Sequence, residues 1–288
     1  KKLGILILAI IGGFLLQTQE SFATHTAGMD IFYRWKNTST SDSTYEFTLI
    51  FYRNCQGFTA GAPTAVTIRG AASSIGVSNS NISASRLPTT GTGVPPLEPP
   101  DMYNCTKSFN SLCYEEYVYR GDWTSPRRAI DWVFSYQLCC RPVTNAPTNV
   151  QNGTQYVECG LNNLDFPDYK AKNWSPLWHN RRPNHPGYTT DTIINFLFRT
   201  LCSYNFYTLD MGAREYQGDS ITYGFYWPQT NNGNNIAYIN GWTFANPMPT
   251  NNGPLTINPL TGVIPIVPGT PTGTGIYVLG IEAKEWRY

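Results

Sequence analysis

Seven cysteines are the side chains of this sequence best equipped for chemistry: Cys55, Cys105, Cys113, Cys139, Cys140, Cys159 and Cys202. As thiolates they would serve as nucleophiles or metal ligands. No Cys-x-x-Cys spacing occurs among them, which weighs against zinc and dithiol redox chemistry. The histidines that would complete a zinc site or activate a thiol are His25, His179 and His185. His179 and His185 share one Pro-rich loop, and no third ligand stands near them at metal-binding spacing. The sequence has neither a Gly-x-Ser-x-Gly nucleophile elbow nor a Walker-type phosphate loop. The reading is therefore of a non-enzymatic chain without a cofactor. Two weaker constellations stand beside it. Asp210, Glu215 and Asp219 offer oxygen ligands that a hard cation such as Ca²⁺ would take, or they are simply the solvated acids of a turn. Trp174, Trp178 and Trp242 lie in loops and could stack on sugar rings, although aromatic side chains also serve as core or interface anchors.

Period-two alternation identifies the elements that would position these residues. In residues 45–53, Tyr45, Phe47, Leu49 and Phe51 share one face. In residues 131–140, Trp132, Phe134, Tyr136 and Leu138 do the same. Such patterns read as half-buried strands. Cys139 and Cys140 then point to opposite faces and need separate partners, with Cys140 on the aromatic face. Residues 29–35, 65–69, 116–123 and 154–161 complete a first strand group. Residues 71–100, rich in Ser, Thr, Gly and Pro, read as a long exposed loop. The polar, turn-prone stretch 162–173 marks a domain boundary. A second strand group follows at 192–198, 220–227, 255–257, 263–267 and 275–286. A turn at 258–262 and loops at 230–235 and 247–254 interrupt it. Short strands between turn signals predict an all-β chain of the sandwich type, divided into domains at 24–172 and 173–288.

The first 23 residues bear on location. Lys1 and Lys2, an apolar run over 3–16, and Ser21-Phe22-Ala23 form the pattern of a secretory signal peptide. The run is shorter than the roughly 20 residues a spanning helix needs. The expectation is cleavage after residue 23, no membrane span thereafter, and a secreted or cell-surface protein. Cysteines in an exported chain are more often bridged than free, and an odd number leaves at least one over. Cys105 with Cys113 would close a local loop, Cys55 would take Cys139 or Cys140, and Cys159 with Cys202 would tie the domains together. Removing Lys1, Lys2 and Glu20 from 20 basic and 19 acidic residues leaves the remainder balanced, which argues against nucleic acid as a partner. Charged residues make up only 14% of the chain, against roughly 25% in an average globular protein. Neutral polar side chains carry the surface instead.

Several of these segments together resemble a known family. His25-Thr26-Ala27-Gly28-Met29-Asp30-Ile31, Tyr45-Glu46-Phe47-Thr48-Leu49 and Tyr52-Arg53-Asn54-Cys55 resemble the opening of large Bacteroidetes surface proteins. Those proteins are adhesin-like and associated with gliding motility and type IX secretion. Residues 115–121, the Ser135-Tyr136-Gln137-Leu138-Cys139-Cys140-Arg141 segment and Asn162-Asn163 continue the likeness. Residues 218–223 and Leu255-Thr256-Ile257-Asn258-Pro259-Leu260-Thr261-Gly262-Val263-Ile264 are similar to the cadherin-like, immunoglobulin-like or PKD-type repeats of the same proteins. The resemblance implies two immunoglobulin-like or cadherin-like β-sandwich domains after a signal peptide. It implies a structural or adhesive surface module, the N-terminal part of a larger protein, that displays loops 71–100, 173–188 and 230–254. Its partners would be cell-surface or extracellular proteins or glycans. Residues 210–219 carry fewer carboxylates than the family's acidic motif, which weakens Ca²⁺ binding there. Two alternatives are a secreted carbohydrate-binding module and a self-assembling extracellular subunit joined through open strand edges.

Overall fold

The computed structural model describes residues 26–36, 43–54, 62–91, 114–138, 148–151, 153–164, 201, 204–210, 220–269, 275 and 277–286. These residues are all β, with eleven strands and two short 3₁₀ turns and no α-helix among them. No helix among the described residues is long and apolar enough to cross a membrane.

The first group is one antiparallel seven-stranded sheet. It comprises β1 (Thr26–Trp35), β2 (Thr44–Asn54), β3 (Ala65–Ala72), β4 (Ile82–Arg86), β5 (Tyr114–Thr124), β6 (Trp132–Leu138) and β7 (Gln155–Leu161). Their order is β1-β2-β5-β4-β3-β6-β7. β3 serves two neighbours in turn: residues 65–68 pair with β4, and residues 69–72 pair with β6. The ends of the order, β1 and β7, come back beside each other, so the sheet wraps around its core.

That core is built from the alternating aromatics. Phe47 on β2 meets Phe134 on β6 with ring centroids 4.2 Å apart. Trp123 on β5 lies edge-on to Trp132 at 4.8 Å and to Phe134 at 4.7 Å. Each such pair adds about 0.5–1.5 kcal/mol beyond the area it buries. Strand β3 approaches this layer closely at Gly70, where a Cβ would lie 2.5 Å from the Ser80 carbonyl and 2.7 Å from the Phe134 ring. The expected half-burial of β2 is exceeded. Its other face is buried too, with Thr48 at 4%, Ile50 at 5% and Tyr52 at 1% exposure. The Tyr52 hydroxyl satisfies itself there by donating to Glu116 Oε2 at 2.9 Å.

Residues 71–100 are not one long loop. Residues 71–72 finish β3, Ser73–Ile75 form a 3₁₀ turn closed by Gly76 in the left-handed region, and residues 82–86 are β4. The inward residues of β4 are Ile82 and the small Ala84, both buried, while its outward residues are serines. The strand therefore has the composition of a loop and the burial of a core element.

The second group consists of two antiparallel pairs. β8 (Tyr207–Asp210) pairs with β10 (Val263–Ile266), and β9 (Ser220–Tyr226) pairs with β11 (Gly280–Trp286). Leu209, Met248, Leu255, Ile264 and Ile266 form a shared core against which Phe225, Leu279 and Ile281 pack. The turn at 258–262 forms as expected: Asn258 Oδ1 accepts from the backbone of Leu260 and Thr261 at 2.9 and 3.1 Å. Residues 255–257 are not a strand, because Asn258 N–H bonds Val263 directly and closes the chain into the turn. The last strand begins only at Gly280, and the stretch expected at 192–198 lies outside the described residues.

Candidate functional site

Residues 148–151 precede β7 yet hydrogen-bond into the second group. Asn149 is completely buried. Its backbone carbonyl accepts from Ile239 N–H at 3.0 Å, and Gln151 N–H donates to the Ala237 carbonyl at 3.0 Å. Its side chain works on the other side. Nδ2 donates to the Val278 carbonyl at 2.8 Å, and Oδ1 accepts from Val278 N–H at 2.9 Å. One amide thus repeats the donor–acceptor pair of a strand ladder. The segment forms a seam between residues 237–239 and Val278.

Two aromatic groups are anchored to this seam. The chain turns back at Asn240 and Gly241, both with positive φ, and Trp242 N–H closes the turn on the Ile239 carbonyl at 3.1 Å. Positive φ at both central positions is the type I′ geometry that Asn-Gly favours. Asn240 Nδ2 ties the turn to the Thr148 carbonyl at 3.1 Å. Trp242 then meets Tyr277, the neighbour of Val278, at 5.7 Å in an edge-to-face arrangement. The Tyr277 ring lies over Gly275, where a Cβ would fall 2.5 Å from it. In the second group Trp227 stacks on Phe244 at 5.1 Å and 9°, meets Tyr238 edge-on at 5.5 Å, and donates Nε1–H to the Ile236 carbonyl at 2.7 Å. All five rings are partly exposed. Burial raises the Tyr238 and Tyr277 phenols above their ordinary value, so both stay neutral. The arrangement is two hydrogen-bonded clusters of partly exposed, neutral rings. It can stack and hydrogen-bond, and it holds no nucleophile.

The other sequence candidates fare differently. Asp210 ends β8, opposite Val263. Among the described residues no group of three or more His, Cys, Asp and Glu side chains could hold a metal ion. Cys159 lies on β7 opposite Phe134 and is a buried free thiol at 7% exposure. Burial, then the neighbouring Asp30 and Glu158 charges, pushes that thiol up, which makes it a poor nucleophile. Cys55, Cys105, Cys113, Cys139, Cys140, Cys202, Trp174, Trp178, Glu215, Asp219 and the three histidines lie outside the described residues, as does segment 1–23.

Sequence reasoning singled out Trp242 but missed Asn149, Trp227, Tyr238, Phe244 and Tyr277. The signals were present in the Asn240-Gly241 dipeptide and in residues 220–281, which contain no Asp, Glu, Lys, Arg or His. Comparison with protein-family models, with curated proteins and with solved structures finds no match.

Proposed function

We propose that this chain is a non-enzymatic exported surface module of the adhesin-like, gliding- and type IX-associated class, with two immunoglobulin-like or cadherin-like sandwich units. Its task is to hold binding loops in place outside the cell. The single observation that carries the reading is the seam. Asn240 Nδ2 ties the Trp242 turn to the Thr148 carbonyl at 3.1 Å, and the Asn149 side chain holds the same segment to Val278 at 2.8 and 2.9 Å. A surface held this firmly loses little conformational freedom on binding, which is how a rigid scaffold turns loops into recognition sites. The sequence pattern of residues 1–23 supports export, and the aromatic loop supports adhesion rather than catalysis.

Protease shaving of intact producing cells tests the proposal. Peptides from residues 24–288 should be released, and cells lacking the gene should attach less well to surfaces. Recovery of the chain in the cytoplasm with residues 1–23 still attached would overturn export. Attachment unchanged by the deletion would overturn the adhesive role.

A further inference from the structure

Resting on the display reading above, we propose that the seam-anchored Trp242–Tyr277 ring pair, with the Trp227–Tyr238–Phe244 cluster carried on the same stretch of chain, binds neutral polysaccharide. Two independent observations define the ligand class. The first is the geometry. Trp242 and Tyr277 form one pair of partly exposed rings and Trp227, Tyr238 and Phe244 a second cluster; the Trp242 backbone bond to Ile239 and the Trp227 Nε1 bond to Ile236 hold them, so they offer apolar faces at a reduced ordering cost. Exposed Thr243 and Asn246 flank Phe244 and supply hydroxyl and amide groups beside the rings. The second is charge. Residues 220–281, which carry all five rings, contain no Asp, Glu, Lys, Arg or His, so the ring-bearing segment itself supplies no ion-pairing group; the charges that reach Tyr226 come from Glu158, Glu282 and Lys284 outside it and are of both signs. A ligand that fits must present apolar C–H faces to rings, hydroxyls to amides, and no net charge. Neutral sugar chains meet all three conditions, and nucleic acids and acidic polysaccharides do not.

Affinity electrophoresis of the purified chain tests this, with hydroxyethylcellulose, glucomannan and arabinoxylan as neutral probes and alginate and polygalacturonate as anionic ones. At least one neutral probe should retard migration, equally at about 50 mM and about 500 mM NaCl, because no ion pair is available to screen. Trp242→Ala and Tyr277→Ala should each weaken retardation at least about tenfold, and Tyr277→Phe should preserve it. Thermal melts separate lost binding from lost folding. If Trp242→Ala melts early, Trp242→Leu keeps bulk, lacks the broad ring face and carries the same expectation. Retardation by none of the neutral probes, or by the anionic ones alone, overturns the proposal. So does retardation that survives both ring removals in folded variants. A size-exclusion shift abolished by Trp242→Ala without polysaccharide binding would also overturn it and assign the rings to contact with a second copy. None of these outcomes touches the shaving result, so failure of the ligand class and failure of surface display remain distinguishable.

Discussion

The two strand groups hold together by different means. Residues 26–161 use a wrapped sheet filled with rings, where Phe47, Trp123, Trp132 and Phe134 pack at centroid distances of 4.2–5.8 Å, alongside Phe47–Trp123 at 6.1 Å. Residues 201–286 have four short strands and a small aliphatic core. There asparagine amides complete what the ladders leave open. Asn149 brackets Val278, Asn252 accepts from Val267 N–H at 3.0 Å, and Asn258 holds its own turn. Fully burying one large apolar side chain contributes about 1.5–3 kcal/mol, and one hydrogen bond nets about 0.5–1.5 kcal/mol. The first group is thus stabilised in bulk, and the second by many small directional terms. In that group Phe225 and Tyr277 lie against the small aliphatic core and yet stay partly exposed.

Three substitutions probe this contrast, from large effect to small. Trp132→Ala should cost about 3–5 kcal/mol in urea unfolding, since it empties a fully buried site bounded by Trp123 and Phe134. A cost under about 1 kcal/mol would mean that the ring layer is not what holds the sheet. Asn149→Ala leaves the Val278 N–H and carbonyl without the amide and should cost about 1–3 kcal/mol. Its signature is local: hydrogen exchange should quicken in residues 236–240 and 277–279 while β2 and β5 stay protected. Uniform acceleration along the chain would erase the distinction between the groups.

Asp131→Asn should be smallest. The carboxylate accepts from Ser73 Oγ at 2.6 Å, from Ser74 N–H at 2.9 Å and from Ser74 Oγ, and these bonds lower it to about 2 from the ordinary 3.8. A folded value below the unfolded one gives stability that is present above the unfolded value and lost as pH falls through the folded one. The melting difference between Asp131 and the variant should be small at neutral pH, shrink below 3.8 and vanish below about 2. A difference that persists at lower pH would show that shape, not charge, sets the contribution.

What the sequence disclosed follows the same contrast. Strands β2, β5 and β6 are legible because aromatic residues, interrupted only by Leu49, Gly121 and Leu138, recur at every second position over seven residues. β4 is hidden because its inward residues are one isoleucine and one alanine among serines. β8 is hidden because it is four residues long with a single buried side chain, Leu209. Trp242 is legible as an aromatic in a loop. Its surroundings are not, because Asn149 and Tyr277 reach it through hydrogen bonds and packing between distant parts of the chain, which no local pattern records. Composition spoke to the second group more clearly than periodicity did, through its missing charges.

The sharing of β3 between β4 and β6 has a kinetic consequence. Residues 65–68 and 69–72 belong to two different ladders, and β6 begins some sixty residues after the strand it joins. Each ladder takes half of β3, so β6 and β7 pair with the rest of the sheet through the second half of that one strand. Loop closure over that distance comes before the contacts that reward it. Pairing of β6 with β3 should therefore be the slow step of folding, with the junction between Ile68 and Arg69 as the point where the two ladders meet.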